Sequence, residues 1–148
     1  LTTTALDYGG PTLGAGTSLP AAGGPMLLNL RGVLPLPETH LAGEALRFSV
    51  RADVAAPLSF DSLPAIALGG VVSAAERRYE PYLGVGAGLT IPNIDGAGPY
   101  ASIHGLAGLR VPIAPRLAGA FEVQVAGNRM FSGASLNLTL EYTIGGNR

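Results

Sequence analysis

The sequence predicts an all-β protein, an eight-stranded antiparallel up-and-down barrel built from a single domain over residues 1–148. Most of the chain alternates apolar with small or polar residues at a period of two, which is typical of strands whose two faces meet different surroundings. The segments between these stretches are short and rich in glycine and proline, so they leave no room for the crossover helices of a parallel sheet. The chain also lacks a run of about 18 consecutive apolar residues, which a membrane-spanning helix requires.

Turn-forming residues divide this alternating pattern into eight predicted strands. Between Ala45 and Ala56, an apolar face that includes Val50 alternates with a polar face that includes Arg51. Together with a less regular first strand at Thr3–Gly16, the pattern predicts strands at Met26–Leu36, Ala45–Ala56, Ala65–Ala74, Tyr79–Ile91, Tyr100–Ile113, Leu117–Ala126 and Gly133–Ile144. The predicted breaks are Pro37–Gly43, Pro57–Pro64, Ala75–Arg78, Asp95-Gly96, Pro112–Arg116 and Gly127-Asn128. Each break is short enough for an antiparallel hairpin.

The composition excludes several classes of function. Charged residues make up only 13% of the chain and its net charge is −1, so no basic block is available for a nucleic-acid backbone. Lysine and cysteine are absent. Their absence excludes phosphate loops that end in Gly-Lys, lysine Schiff bases, disulfides and zinc-thiolate sites. With so few charges and 47% apolar residues, an ordinary water-facing surface cannot be assembled from this sequence.

The charged residues are confined to one face of the predicted strands. The leucine-rich face carries none, whereas the opposite face consists largely of glycine, serine and threonine with four arginines and four carboxylates. Lipid disfavours charge on the face it contacts, and the narrow interior of an eight-stranded barrel accommodates small residues beside a few paired charges. We therefore predict a transmembrane β-barrel with a side-chain-filled polar lumen.

This face assignment defines two sets of residues. The predicted structural network of the lumen comprises Arg31, Arg47, Arg51, Asp53, Glu80, His104, Arg110, Glu122, Gln124, Asn137 and Glu141. The predicted lipid-facing residues include Leu30, Phe48, Val50, Leu68, Val85, Ile103, Phe121, Val123, Leu138 and Leu140. Two alternatives stay open: a narrow channel for ions or small solutes, and a soluble lipocalin-like barrel whose leucine-rich face points inward around an apolar ligand.

Three glycine-bearing strands resemble those of a known family of membrane barrels. Their sequences are EPYLGVGAGL (Glu80–Leu89), IHGLAGLRVPI (Ile103–Ile113) and LAGAFEVQVAG (Leu117–Gly127). From about Thr3 to Ile144, the chain resembles the small eight-stranded outer-membrane barrels of the OmpA transmembrane-domain and OmpX type. The resemblance implies that Glu122, which corresponds to a lumen glutamate of that family's penultimate strand, joins an ion-pair network.

The resemblance also implies a location and a function. We expect a bacterial outer-membrane protein with a non-enzymatic structural, envelope-integrity or surface-adhesion role and a closed or poorly conducting lumen. Expected partners are outer-membrane lipid, the barrel-insertion machinery and a surface or envelope molecule bound through the loops; we expect a monomer that binds no nucleic acid. The absence of lysine is compatible with a thermophilic member. The aromatic residues predicted to anchor the barrel at the membrane interfaces are Phe48, Tyr79, Tyr82, Tyr100, Phe131 and Tyr142.

Candidate catalytic and metal sites in the sequence are weak. Ser102 and His104 share one face and Glu122 lies on the neighbouring strand, which suggests a Ser-His-Glu arrangement. However, residues two apart on a strand project in parallel about 6.5 to 7 Å apart, too far for a hydrogen bond from nucleophile to base. His40 lies in a predicted turn between two glutamates but lacks further metal ligands. We therefore predict no catalytic residue, no cofactor and no metal, and expect Ser102 and His104 to form hydrogen bonds in the lumen.

Overall fold

A computed structural model describes residues 10–23, 26–57, 65–75, 78–90, 98–127 and 132–145. The strands within these ranges are β1 (Thr12–Pro20), β2 (Leu27–Pro35), β3 (Thr39–Leu41), β4 (Glu44–Pro57), β5 (Ala65–Ala74), β6 (Glu80–Thr90), β7 (Tyr100–Ala114), β8 (Leu117–Gly127) and β9 (Ser132–Thr143). No helix in the described ranges is long and apolar enough to span a membrane. The predicted breaks at Asp95-Gly96 and across most of Pro57–Pro64 lie outside the described residues.

Eight of these strands form a closed antiparallel barrel. The eight are all the strands except β3, which pairs only with β4. Each pairs with the next along the chain, including β2 with β4, and pairing of β1 with β9 completes the ring. Following paired residues around the ring from Glu122 leads to Arg47 on β4 in one direction and to Pro57 on β4 in the other. The two routes thus meet β4 at positions ten residues apart, which is the stagger of the barrel. Such a stagger requires the strands to tilt by roughly 35–45° from the barrel axis. The predicted eight-stranded up-and-down barrel is therefore confirmed.

The short strand β3 lies within the segment that the sequence predicts to be a plain turn. Leu41 pairs with Glu44, and the two residues between them, Ala42 and Gly43, both have positive φ values of 51° and 84°. Two successive residues with positive φ are typical of a tight type I′ hairpin turn, which lets the chain pair with itself after only three strand residues. The predicted turn was wrong here because β3 is too short to show a period.

The first strand is displaced from its predicted position. It extends to Pro20 rather than ending at Gly16, and the predicted residues before Gly10 lie outside the described ranges. Two inward positions of β1 are glycines, Gly14 and Gly16, which erase the contrast between its faces. The other seven barrel strands lie within one or two residues of their predicted bounds, because a regular alternation marks both ends.

The two faces of the barrel differ in polarity: the large exposed side chains are apolar, whereas the buried charges all lie inside. On the outer face, Ile103 is 74% exposed and Val85 is 71% exposed, whereas the inward Glu122 is fully buried. The ten residues predicted to face lipid are all exposed on the outer wall: Leu30, Phe48, Val50, Leu68, Val85, Ile103, Phe121, Val123, Leu138 and Leu140. A soluble barrel around an apolar ligand needs the opposite arrangement, so these side-chain directions exclude that alternative.

Candidate functional site

The inward charges gather in one half of the lumen. The β1–β2 turn marks one end of the barrel. On each strand with inward charges, the described inward residues between the last charge and that end are neutral, as Ser102 and His104 are on β7. We call the lumen around the charges the charged half; it contains Arg31, Arg47, Arg51, Asp53, Glu80, Tyr82, Arg110, Glu122, Asn137 and Glu141. We call the remainder the neutral half; its inner wall includes Ala55, Ala65, Ala67, Gly86, Gly88, Ser102, His104, Gln124, Ala126 and Ser135.

Glu122 on β8 is the centre of the charged half. Four side chains donate hydrogen bonds to its carboxylate: Arg51 through both terminal nitrogens (2.5 and 2.9 Å), Arg31 (3.2 Å), the Tyr82 hydroxyl (3.0 Å) and the Asn137 amide (2.8 Å). These bonds fill the acceptor capacity of a carboxylate, and most come from charged donors, which form the stronger class of hydrogen bond. Glu122 therefore connects strands β2, β4, β6 and β9 to its own strand.

Arg31 on β2 joins three carboxylates at once. Its Nε donates to Asp53 at 2.9 Å, Nη1 to Glu141 at 3.0 Å and Nη2 to Glu122 at 3.2 Å. The planar guanidinium fork permits this arrangement, whereas a lysine ammonium acts as a single charged point. The side chains of Arg31, Glu122 and Glu141 are inaccessible to solvent, whereas that of Asp53 retains 13% exposure. Asp53 is therefore the most accessible of the four groups that Arg31 brings together.

The ion pairs continue from Glu141 to the rim of the barrel. Arg110 donates to Glu141 at 2.6 Å and to Glu80 at 3.3 Å. Arg47 lies 3.7 Å from the same Glu80 oxygen and forms a further ion pair with Glu38, which precedes β3. Opposite charges thus alternate without interruption from the rim to the middle of the lumen.

Tyr82 crosses from β6 to β8 over a glycine. The register pairs Tyr82 with Gly108 on β7 and Gly108 with Glu122 on β8, so the three lie in one row. A Cβ atom added to Gly108 would overlap the Tyr82 ring. Because Gly108 has no side chain, the tyrosine can lie across it and bring its hydroxyl to Glu122. The guanidinium of Arg110 lies 4.7 Å from the centre of the same ring, within the range of a cation–π contact.

Charge balance explains why this buried region is tolerated. Four arginines (Arg31, Arg47, Arg51 and Arg110) face four carboxylates (Asp53, Glu80, Glu122 and Glu141). Moving one charge from water into a protein interior costs several kcal/mol, and only close pairing with further hydrogen bonds offsets that cost. A small apolar cluster of Val71, Tyr82 and Leu106 packs beside the ion pairs. The described side chains therefore fill this half of the barrel with neutralised charges.

The structure places all eleven residues of the predicted network on the inner face. Gln124 accepts a hydrogen bond from Asn137 at 3.1 Å. His104 is buried and its ring lies against Gly86, whose missing side chain makes room for it. A hydrogen-bonding role for His104 in the lumen stays a prediction.

Tyr82 is the lumen residue that the sequence reasoning missed. It was predicted to anchor the barrel at a membrane interface, but it is only 2% exposed and points inward. Its position two residues after Glu80 and two before Gly84 puts it in phase with the inner face, so the alternation contained the correct signal. Among the other predicted anchors, Phe48, Tyr79 and Tyr142 are exposed, Tyr100 is partly exposed and Phe131 lies outside the described residues.

The neutral half contains small side chains. Its inner-wall residues other than His104 are partly exposed, including Ala67, Ser102 and Ala126. Ser102 and His104 form no hydrogen bond with each other in the described structure, and Glu122 is fully engaged by arginine, so they do not assemble a nucleophile, a base and an orienting acid. No group of three or more histidine and carboxylate side chains among the described residues is arranged to hold a metal.

Comparisons with known proteins identify the kind of fold. No protein-family model matches the chain, and no curated protein matches it. The solved structure of the outer membrane enzyme PagL matches with a TM-score of 0.63 and 14% identity over 90% of this chain and 99% of that chain. A de novo designed transmembrane β-barrel matches with a TM-score of 0.57 and 16% identity over 95% and 99% of the two chains. Neisserial surface protein A (NspA) matches with a TM-score of 0.52 and 12% identity over 90% and 94%. The chain thus shares the fold of small eight-stranded membrane barrels.

Proposed function

We propose that this chain is an integral outer-membrane barrel with a non-enzymatic role and a poorly conducting lumen. The observation that carries the proposal is the charge-balanced network around Glu122, which occupies one half of an interior only just wide enough for side chains. An ion that crossed this half would have to separate buried ion pairs, at a cost of several kcal/mol. The network therefore acts as a plug.

The outer wall supports insertion into lipid. Every strand of the barrel carries large exposed apolar side chains on this wall, and removing such surface from water contributes roughly 25 cal/mol per Å². Outer-membrane lipid and the barrel-insertion machinery are accordingly the partners we propose, with a monomer as the inserted unit. Membership of the OmpA and OmpX type and a thermophilic source stay predictions.

The proposed role is structural, in envelope integrity or in surface adhesion through the loops. The Ser-His-Glu arrangement would need Glu122 as its acid, but Glu122 is bound by Arg51 instead, which supports a non-enzymatic role. The same fold serves an outer membrane enzyme and a surface protein, so the fold alone does not select the activity. Substitution of Ser102 and His104 by alanine tests the enzymatic alternative. If the purified barrel shows any lipid- or peptide-cleaving activity, we expect both changes to leave it unaffected.

Conductance in planar lipid bilayers tests the plug. The wild-type chain is refolded in detergent, its folded state is verified by a shift in gel mobility on boiling, and single-channel currents are recorded. We expect no resolved current steps. The double variant Arg51→Ala/Glu122→Ala removes one guanidinium and the central carboxylate together, and we expect it to conduct if it shows the same gel shift.

The outcomes separate the candidate functions. Steady unitary currents through the wild type would contradict the plug and favour a narrow channel for ions or small solutes. A folded double variant without current would show that closure does not depend on the network. Recovery of folded wild-type protein in buffer without detergent would contradict membrane insertion itself.

A further inference from the structure

The outer wall of the barrel has an apolar groove that crosses β7, β8, β9 and β1. Paired outward residues form one row from Val111 through Gly119 and Leu140 to Ala15. Because Gly119 has no side chain and Ala15 has only a methyl group, a groove of about 480 Å³ is left between the larger side chains. Ligand sites in proteins typically have volumes of about 300–1,000 Å³. We call it the Gly119 groove; its outward lining residues include Ala15, Val111, Ile113, Gly119, Leu138 and Leu140.

The turn between β7 and β8 places a cation at the rim beside this groove. It is a two-residue hairpin, and its second residue, Arg116, is exposed. The backbone amide of Thr143 donates a hydrogen bond to the Arg116 carbonyl at 2.9 Å, which holds the turn against β9. Gly119 follows Arg116 by three residues, or roughly 10 Å along β8. The guanidinium and the groove are therefore neighbours.

The surroundings of Arg116 favour an anion at this part of the rim. The exposed carboxylates that the structure describes, Glu38 and Glu44, lie beside β3, on the opposite side of the ring from the β7–β8 turn. Tyr142 pairs with Leu117, the residue after Arg116, and is 50% exposed. Tyrosine is enriched where a membrane protein meets lipid headgroups, and basic residues there attract anionic lipid.

We infer that the Gly119 groove binds an anionic phospholipid, with an acyl chain over Gly119 and the phosphate at Arg116. The inference rests on the proposed membrane insertion, which brings lipid to this wall. A guanidinium suits a phosphate because its planar fork donates two parallel hydrogen bonds. The groove supplies the apolar contact and the arginine supplies the preference for negative charge.

A second groove in the outer wall separates these two contributions. It lies over Gly105 on β7, next to Val85 and Ile103, and has a volume of about 1380 Å³, so size alone would favour it. The exposed arginines that the structure describes, Arg78 and Arg116, lie in turns at the other rim. This Gly105 groove should therefore contact lipid without selecting its charge.

Tryptophan fluorescence in brominated lipid tests the inference at each groove. The chain has no tryptophan, so an introduced one reports only its own surroundings. Leu140→Trp reports on the Gly119 groove and Ile103→Trp on the Gly105 groove. Each variant is reconstituted in vesicles of equal phosphatidylglycerol and phosphatidylcholine, with bromine on the acyl chains of one lipid at a time. We expect phosphatidylglycerol to be enriched about fivefold at Leu140→Trp, which is the preference that one arginine near a membrane surface gives, and not at Ile103→Trp.

Further substitutions in the Leu140→Trp chain assign the enrichment to its parts. Arg116→Gln should remove it, whereas the matched control Arg78→Gln, in the β5–β6 turn at the same rim, should leave it unchanged. Gly119→Leu should also remove it by filling the groove. A Cβ added to Gly119 meets only the Ile113 side chain, at 3.5 Å, so the larger residue fits the wall without overlap. A gel shift on boiling verifies that each variant is folded.

The outcomes separate this inference from the proposed function. Equal quenching by the two lipids at Leu140→Trp, or enrichment that survives Arg116→Gln, would overturn the lipid site and leave membrane insertion intact. Quenching at Ile103→Trp alone would show that protein, such as a second copy of this chain, covers the Gly119 groove, and would also overturn the site. Quenching at neither position would contradict membrane insertion itself, and with it the inference.

Discussion

The charged and neutral halves of the lumen occupy the same narrow barrel and are built differently. Along β4, the inward Arg51 is only 2% exposed and its guanidinium is bonded to Asp53 and Glu122, whereas Ala55, four residues further on, is partly exposed. The first half is filled by long side chains from several strands, which pair with one another from the rim to the middle of the lumen. The second is lined by short side chains. The difference teaches that paired charges can fill the interior of an eight-stranded barrel where long side chains from neighbouring strands meet.

This asymmetry predicts where the barrel is sensitive to substitution. In the charged half each ionic side chain pairs with two or more opposite charges, so the loss of one leaves its partners short of a counter-charge. In the neutral half the side chains have few mutual contacts, so changes there alter access rather than stability. The following predictions run from the largest expected effect to the smallest.

Glu122→Gln should lower the free energy of unfolding by about 3–5 kcal/mol, because the change leaves two buried guanidinium groups short of one negative charge. Urea titration of the protein folded in lipid vesicles measures the loss. The matched control is Ser135→Ala in the neutral half, which should change stability by less than about 0.5 kcal/mol. Equal effects of the two substitutions would contradict the distinction between the halves.

Leu138→Arg tests whether the outer wall beside the charged network contacts lipid. Leu138 is exposed on the outer face of β9 and pairs with Phe121, close to the level of the network. An arginine there should cost about 2–4 kcal/mol of folding in lipid, whereas Leu36→Arg near the rim should cost about 0–1 kcal/mol. The same titration measures both, and identical costs would argue against a lipid-facing middle.

Gly108→Ala examines the packing of Tyr82 inside the charged half. The added methyl group overlaps the tyrosine ring, and overpacking of this kind costs about 1–3 kcal/mol. Gly105 lies on the same strand but faces outward, with nothing within 4 Å of an added Cβ. Gly105→Ala should therefore change stability by less than about 0.5 kcal/mol. A harmless Gly108→Ala would mean that Tyr82 does not lie over β7.

Single cysteines on β8 report access to each half with almost no loss of stability. The chain has no cysteine of its own, so a water-soluble thiol reagent reports only the introduced residue. Ala126→Cys in the neutral half should react at least about tenfold faster than Ala120→Cys, because thiol reactivity follows exposure. Ala120 is only 4% exposed. Equal rates measured by mass spectrometry would indicate a lumen that is open, or closed, along its whole length.

Much of the fold could be predicted because its signals are local. The alternation of Val50 with Arg51 and its equivalents on other strands identifies a strand and both of its faces within about ten residues. The local signal failed where it was short or weak. The strand β3 has only three residues, and β1 has glycines on its inner face.

The prediction for Tyr82 was wrong because its residue type was given more weight than its position. It was assigned to the membrane interface because aromatic residues are common there, although its phase along β6 places it inside. What the pattern of one strand does not identify is the neighbour: the register places Gly108 beside Tyr82, and the missing side chain of that glycine makes room for the ring.

The sequence by itself determined the number of barrel strands, the face each residue occupies and the equality of positive and negative charge inside. The tertiary structure alone decided which charges meet. Arg31 and Glu141, for example, are 110 residues apart and become partners only through the closure of β2 and β9 around β1. The ten-residue stagger around the ring sets which inward residues lie at the same height along the barrel axis, and it arises from strand pairing over the whole barrel. The alternation of faces is a property of one strand, whereas the height of a residue along the axis depends on how all the strands pair in the closed sheet.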